Sequence, residues 1–166
     1  TPRSSSAASD VYKRQRYLDN VMTSGEAAMH AINQKKFGKT FYHLGPTRDT
    51  SIFEKVKDNK TDLQSCDFIL CTGLFDDYDN VLNYYKKFLI NHVSKKLICT
   101  NPDLIVHRGS VEELCAGSVA KVFEDLGGEV IYFGKPHKEV YDMCFGSNEK
   151  VLAIGDNLRT DIKGCL

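Results

Sequence analysis

The chain has 166 residues, enough for one domain or for one domain and part of a second. Hydrophobic residues make up 42% of it, and Lys+Arg balance Asp+Glu at 22 each, so no overall basic charge points to nucleic acid or to a membrane surface. No apolar run approaches the roughly 20 residues of a membrane span, and the N-terminus lacks the apolar core of a signal peptide.

The cysteines favour a reducing compartment. The chain has 6 cysteines, but none forms a Cys-x-x-Cys pair and no nearby histidine completes zinc-ligand spacing. Several, such as Cys71 and Cys99, lie in apolar runs, where a thiol behaves as a small hydrophobe. We therefore predict reduced thiols in a cytoplasmic protein.

Residues 1–16 differ in character from the rest of the chain. They are small, polar or basic, without hydrophobic periodicity, and we interpret them as a non-native or disordered segment. A natural disordered arm is the alternative.

Helices and strands alternate from residue 17 onward. Thr23-Ser-Gly-Glu26 has the pattern of a capping box and predicts a helix to about residue 36. The predicted strands are 40–44, 67–72, 96–100, 129–133 and 151–154, and the further helices are 49–56, 78–93, 111–126 and 137–145. Gly127-Gly128 should end the third of these helices. This alternation predicts an α/β fold with a mostly parallel sheet, which binds ligands beyond the carboxyl ends of its strands.

The last of the strand-end loops carries two carboxylates. Gly155-Asp156 follows the apolar run 151–154, and Asp161 comes five residues after Asp156. Two carboxylates so close together repel each other unless a cation lies between them, and Mg²⁺ prefers such oxygen ligands. Taken alone, the pattern is more often that of a strand end followed by an Asp-rich turn with an N-cap.

A lysine follows the preceding predicted strand. In Gly134-Lys135-Pro136, the glycine permits a sharp turn and the proline favours a helix start, so the ammonium would lie at the top of the sheet. Alone, this could be an ordinary solvated lysine. Together with the acidic loop it predicts half of a phosphoryl-transfer site, with a phosphate between the metal and Lys135.

These motifs resemble those of the haloacid dehalogenase superfamily of phosphatases, and more closely its NagD-like (p-nitrophenyl phosphatase-like) class IIA branch. The stretches that carry the resemblance, in the family's order, are Thr23-Ser-Gly-Glu-Ala27, Gly73-Leu-Phe-Asp-Asp77, Thr100-Asn-Pro-Asp103, Cys115-Ala-Gly117, Gly134-Lys-Pro-His137 and Gly155-Asp-Asn-Leu-Arg-Thr-Asp161. The resemblance implies a Rossmann-like core, here partial, with a large α/β type-two cap. It places a partial core at 17–38, the cap at 39–131 and the returning core at 132–166.

The resemblance also implies roles for single residues. Lys135 would be catalytic, stabilising the nucleophile and the phosphoryl group, while Asp156 and Asp161 would hold Mg²⁺. The phosphate side would be lined by Asn157, Leu158, Arg159 and Thr160, and the possible cap contacts to the substrate are Asn101 and Asp103.

The family's nucleophile motif, Asp-x-Asp-Gly-Thr/Val, does not occur in the sequence. Asp77-Tyr-Asp79 is its nearest approximation, and it lacks the following Gly-Thr, so we interpret it as a loop or helix start. We expect the chain to be a fragment without the nucleophile and the C-terminal end of the family, inactive by itself.

The sequence thus predicts a magnesium-dependent phosphomonoester hydrolase acting on a small phosphorylated metabolite. The alternative is a non-catalytic phosphometabolite-binding or regulatory module. A nucleotide-binding Rossmann domain is less favoured, because no Gly-x-Gly-x-x-Gly follows a strand. Expected partners are the metabolite and, through the cap, a second subunit, with neither nucleic acid nor membrane.

Overall fold

The computed structural model describes residues 21–146, 148–155 and 157–165. The α-helices are α1 (Ser24–Asn33), α2 (Leu82–Leu89), α3 (Ala116–Asp125) and α4 (Lys138–Tyr141). The strands are β1 (Phe41–Leu44), β2 (Phe68–Cys71), β3 (Lys96–Cys99), β4 (Ile105–Arg108), β5 (Val111–Leu114) and β6 (Glu129–Tyr132). Short 3-10 helices span Thr47–Asn59, Asp76–Tyr78, Ile90–His92 and Lys163–Cys165, and a π-helical turn spans Leu158–Ile162.

A parallel sheet of four strands in the order β1-β2-β3-β6 forms the centre of the described structure. Because all four strands run in the same direction, the loops after them emerge at one edge. The α/β class and the parallel sheet predicted from the sequence are therefore confirmed.

The strands bury both of their faces, because their side chains alternate between two apolar layers. In β2, Ile69 and Cys71 pack with the face covered by α2 and α3, whereas Phe68 and Leu70 pack with the face covered by α1 and α4. All four of these side chains are fully buried. This double burial explains why the strands read as continuous apolar runs.

The capping box predicted at the start of α1 is present. The Glu26 N–H donates to Thr23 Oγ1 at 3.1 Å, and the Thr23 N–H donates to Glu26 Oε2 at 3.0 Å. The small residues Ala27, Ala28 and Ala31 then let α1 lie close against the sheet, where all three are buried.

The end of α3 also follows the prediction. Gly127 has φ +90, and the N–H groups of Gly127 and Gly128 donate to the carbonyls of Glu124 and Phe123. These bonds close the C-terminus of the helix as a glycine cap does.

The predicted helix 111–126 is wrong in its first part. Val111–Leu114 is strand β5, which pairs antiparallel with β4 in a two-stranded sheet. Gly109, with φ +66, lies in the tight turn between them, and the helix starts only at Ala116. Val111-Glu-Glu-Leu114 has apolar residues three apart, which suits a helix, but the Gly109-Ser110 turn brings the segment beside β4 instead.

The predicted strand 151–154 is not formed. Its backbone has no regular structure, and Leu152 and Ile154 are 84% and 90% exposed. A strand requires a neighbour for its ladder of hydrogen bonds, and the described sheet ends at β6 without pairing with this segment.

Two predicted helices are also shorter than expected. The segment 78–93 is divided into α2 and flanking 3-10 turns, and the segment 137–145 contains only the single turn α4. Within the described ranges, no helix is both long enough and apolar enough to cross a membrane. The division into core and cap at residues 38 and 131 stays a prediction.

Candidate active site

A pocket of about 400 Å³ lies where the loops after β3 and β6 meet the start of α1 and the turn 157–162. Its lining residues are Met22, Ser24, Asn101, Pro102, Asp103, Gly134, Lys135, Val140, Asn157, Thr160 and Asp161. Six of the residues predicted from the sequence therefore lie around one cavity, although 60 positions separate the first from the last.

Lys135 and Asp161 form the charged centre of this pocket. The Lys135 Nζ donates to Asp161 Oδ1, and the Asp161 side chain is only 14% exposed whereas that of Lys135 is 55% exposed. This carboxylate raises the pKa of Lys135, so the side chain stays an ammonium ion at neutral pH. The pair places a permanent cation at the carboxyl edge of the sheet.

The turn that carries Asp161 is held by its own polar groups. The Asn157 N–H donates to Asp161 Oδ2 at 3.2 Å, and the Arg159 N–H donates to Asn157 Oδ1 at 2.9 Å. A Cβ on Gly155 would lie 2.3 Å from Asp161 Cβ, so only glycine permits this close return of the chain. The Asp161 carboxylate is thus oriented by Lys135 on one side and by the turn on the other.

Gly134 determines where Lys135 leaves the sheet. It has φ +128, and an added Cβ would lie 2.7 Å from Pro102 Cδ and 3.2 Å from Ser24 Cβ. The loop after β6 therefore packs against both the loop after β3 and the start of α1. This contact brings Lys135 beside Asn101 and Asp103.

The loop Asn101-Pro102-Asp103 is fixed from its other side by α3. The Gly117 N–H donates to the Asp103 carbonyl at 3.1 Å, and a Cβ on Gly117 would lie 2.3 Å from the Pro102 carbonyl oxygen. The Asp103 N–H donates to Asn101 Oδ1 at 3.2 Å. These contacts hold the backbone of the loop at the pocket.

Other predicted site residues lie elsewhere. Leu158 is 76% exposed and Arg159 is also exposed, and neither lines the pocket, because the turn directs Asn157 and Thr160 to it instead. Asp156 lies outside the described residues. Asp77 and Asp79 are exposed beside the 3-10 turn that follows β2, and they do not line the pocket either.

Five lining residues were not predicted to belong to the site, namely Met22, Ser24, Pro102, Gly134 and Val140. The capping box indicated that α1 begins at Ser24, but nothing in the local sequence indicated which loops this end would meet. Val140 is buried on α4 and forms part of the apolar wall.

The oxygen atoms that line the pocket are of the chemical type that a hard cation binds. Carboxylate and amide oxygens of Asp103, Asp161, Asn101 and Asn157 line it, and Mg²⁺ takes such ligands. Among the described residues, however, no group of three or more His, Cys, Asp or Glu side chains is arranged to hold a metal ion. Of the two predicted metal ligands, Asp161 lines the pocket, whereas Asp156 lies outside the described residues.

A second polar cluster lies at the same edge, after β1 and β2. His43 Nε2 and Thr72 Oγ1 form a hydrogen bond of 2.9 Å, and the His43 ring lies 4.6 Å from that of Phe53. Burial, with a smaller effect of the Lys60 charge, lowers the pKa of His43 to about 4. Burial also raises the pKa of Asp49, which hydrogen-bonds to Thr72. At neutral pH His43 is uncharged, and none of these side chains lines the pocket.

Solved structures of haloacid dehalogenase-like proteins resemble the chain. A haloacid dehalogenase-like family hydrolase from Brucella suis 1330 is 32% identical, with a TM-score of 0.75 over 87% of this chain and 59% of that one. NagD from E. coli K-12 is 25% identical, with a TM-score of 0.62 over 86% of this chain and 56% of that one. A p-nitrophenyl phosphatase from Archaeoglobus fulgidus shares the fold at 14% identity, with a TM-score of 0.61 over 91% and 62% of the two chains.

No protein-family model matches the chain, and no curated protein does. The chain spans 56 to 62% of the length of the three solved relatives described above. The motif order, the parallel sheet and these neighbours agree with one another, and they confirm the resemblance found in the sequence: the chain has the fold and the motif order of haloacid dehalogenase-like proteins.

Proposed function

We propose that this chain carries the phosphate-binding and metal-binding side of a class IIA phosphomonoester hydrolase that acts on a small phosphorylated metabolite. The observation that carries the proposal is the pocket in which Lys135 and Asp161 meet Asn157 and Thr160 at the carboxyl edge of a parallel sheet. The similarity to NagD and to a p-nitrophenyl phosphatase favours the enzyme over a non-catalytic binding module.

In this proposal each side chain has a defined task. Lys135 binds the phosphoryl oxygens and offsets their charge. Asp161, whose side chain is less exposed than that of Lys135, orients the ammonium group through their ion pair. The Thr160 hydroxyl and the Asn157 amide offer further polar contacts to the same group. Mg²⁺ held by Asp161 and Asp156 would supply additional charge stabilisation when bound.

The remaining features are proposals of the same kind. Residues 39–131 would form the cap, which closes over small substrates, and the cap could also support a homodimer. The cysteines at positions 66, 71, 99, 115 and 144 are free thiols, which accords with the proposed cytoplasmic location.

Phosphate binding tests the proposal. The Lys135→Ala variant should bind inorganic phosphate at least about tenfold more weakly in the presence of Mg²⁺, because it loses a charge-assisted hydrogen bond. Lys138→Ala is the matched control, since Lys138 pairs with Asp142 on the nearby helix α4 and does not line the pocket. Equal affinities of the two variants, measured by calorimetry, would contradict the proposed role of Lys135.

We further propose that the 166-residue chain binds phosphate without hydrolysing esters, since its sequence contains no Asp-x-Asp-Gly-Thr/Val motif. Hydrolysis of p-nitrophenyl phosphate that survives both Asp77→Asn and Asp79→Asn would show that another nucleophile is present.

A further inference from the structure

The pocket has a second carboxylate, that of Asp103, on the loop next to that of Lys135. Asp103 follows β3, whereas Lys135 follows the neighbouring strand β6, and both line the same cavity. The Asp103 carboxylate contributes, after Asp161 and Tyr141, to the raised pKa of Lys135. A ligand whose phosphate binds Lys135 would therefore share a pocket of about 400 Å³ with the Asp103 carboxylate.

The Asp103 carboxylate is available to a ligand. Its residue is exposed, and within residues 21–146, 148–155 and 157–165 no hydrogen bond or ion pair engages its side chain. Its backbone, by contrast, is held by Asn101 Oδ1 through the N–H and by Gly117 through the carbonyl. The backbone of Asp103 is thus held in place while its carboxylate makes no hydrogen bond or ion pair among the described residues, which leaves it available to a ligand.

The charges of the described lining residues also bear on which ligand the pocket would bind. Lys135 is the one cationic side chain among the described lining residues, and it already pairs with Asp161. The described lining thus carries two carboxylates, Asp103 and Asp161, against one ammonium group, so a negative charge remains in excess there. A ligand with a second anionic group there would be repelled, whereas a neutral group would gain no electrostatic attraction.

We propose that Asp103 selects phosphomonoesters whose leaving group carries an ammonium group, with the phosphate on Lys135 and the ammonium on the Asp103 carboxylate. This inference rests on the proposed function and specifies its substrate class as dipolar, amine-bearing phosphate esters. A loop fixed by Gly117 and Gly134 sets the separation between the two charged groups.

Three small phosphate esters of similar size test the proposal by calorimetry with the full chain in Mg²⁺. O-phosphoethanolamine has an ammonium group, ethyl phosphate has no second charge, and phosphoglycolate has a carboxylate. The chain should bind O-phosphoethanolamine about fivefold more tightly than ethyl phosphate, the effect of one partly exposed ion pair. Phosphoglycolate should bind most weakly of the three.

The variants assign the preference to one residue. Asp103→Asn, nearly isosteric, should reduce the ratio of the first two affinities to near one, and Asp103→Lys should favour phosphoglycolate over O-phosphoethanolamine. Asp58→Asn is the matched control, because it removes the same charge from an exposed site outside the pocket. It should retain the preference of the unaltered chain.

The outcomes separate this inference from the proposed function. Binding of inorganic phosphate without a preference for the amine, or a preference that persists in Asp103→Asn, overturns the role of Asp103 alone. Failure of the unaltered chain to bind inorganic phosphate overturns both proposals.

Discussion

Among single residues, His43 shows how burial alters the charge that a side chain can carry. It lies in the predicted strand 40–44, and the structure makes it 6% exposed with Thr72 as its hydrogen-bond partner. Burial lowers its pKa to about 4, well below the 6.5 of an unperturbed histidine. The unfolded chain therefore binds a proton at this position more readily than the folded chain does.

Stability should accordingly fall as the pH drops through the window from about 6.5 to about 4. Above that window His43 is neutral in both states, so its contribution is complete, and below it both states are protonated. The loss is at most about 3 kcal/mol of unfolding free energy, since one pKa unit corresponds to about 1.4 kcal/mol and solvent screening reduces the effect.

Urea denaturation of the wild type and of His43→Gln at several pH values measures this contribution. Glutamine retains a polar partner for Thr72 but does not titrate, so the difference between the two proteins should change over this window. A difference that is independent of pH would mean that His43 is accessible to protons in the folded state.

The motifs of the candidate site also show what single residues can reveal. Lys135 and Asp161 lie in motifs whose glycines and prolines fix the backbone locally, and both are in the pocket where the sequence suggested a site. Leu158 and Arg159 lie in the same motif and yet point elsewhere, because the π-helical turn that orients them is decided by Asn157 and Asp161 contacts. Their roles on the phosphate side stay predictions without support from the pocket.

At the level of elements, local hydrogen bonding made α1 predictable. Thr23 and Glu26 satisfy each other's backbone N–H groups, so the start of the helix is encoded within four residues. The hairpin β4–β5 was missed because its second strand has a spacing that also suits a helix. The signal that could have identified it was Gly109-Ser110 between two short runs of strand-forming residues.

Removing the cap of α1 should destabilise the chain. Thr23→Ala loses the hydroxyl that accepts the Glu26 N–H, and the expected cost is about 1 kcal/mol of unfolding free energy. Ser51→Ala, at an exposed position of a 3-10 helix, is the control and should change stability by less than about 0.5 kcal/mol. Equal midpoints of the two variants in urea would show that the capping box contributes nothing to folding.

For the whole molecule, the parallel sheet determines which parts of the chain are structurally essential. Leu70 lies in the second strand and is fully buried between the sheet and the helices of one face. Leu152 lies in an equally apolar run that the sequence predicted to be a strand, but it is 84% exposed. Similar local sequences thus contribute differently to the free energy of unfolding, depending on whether they pair with a neighbouring strand and become buried.

The two leucines therefore provide a matched pair of substitutions. Leu70→Ala should cost about 2–5 kcal/mol, because it leaves a cavity in a closely packed core. Leu152→Ala should change the unfolding free energy by less than about 0.5 kcal/mol. A loss of several kcal/mol in Leu152→Ala, measured by urea denaturation of the chain, would show that residues 151–154 do form a packed strand.

The sequence by itself determined the α/β class, the four strands of the parallel sheet, the cap of α1 and the motifs that resemble those of the haloacid dehalogenase-like family. These features depend on periodicity, turn residues and hydrogen bonds between near neighbours, which are readable in a linear pattern. Only the tertiary structure decided that Asn101, Asp103, Lys135 and Asp161 share one pocket, and that Arg159 does not. The reason is physical. Gly134 packs against Pro102, about thirty positions away in the chain, and such a contact depends on how the loops after two neighbouring strands meet in space.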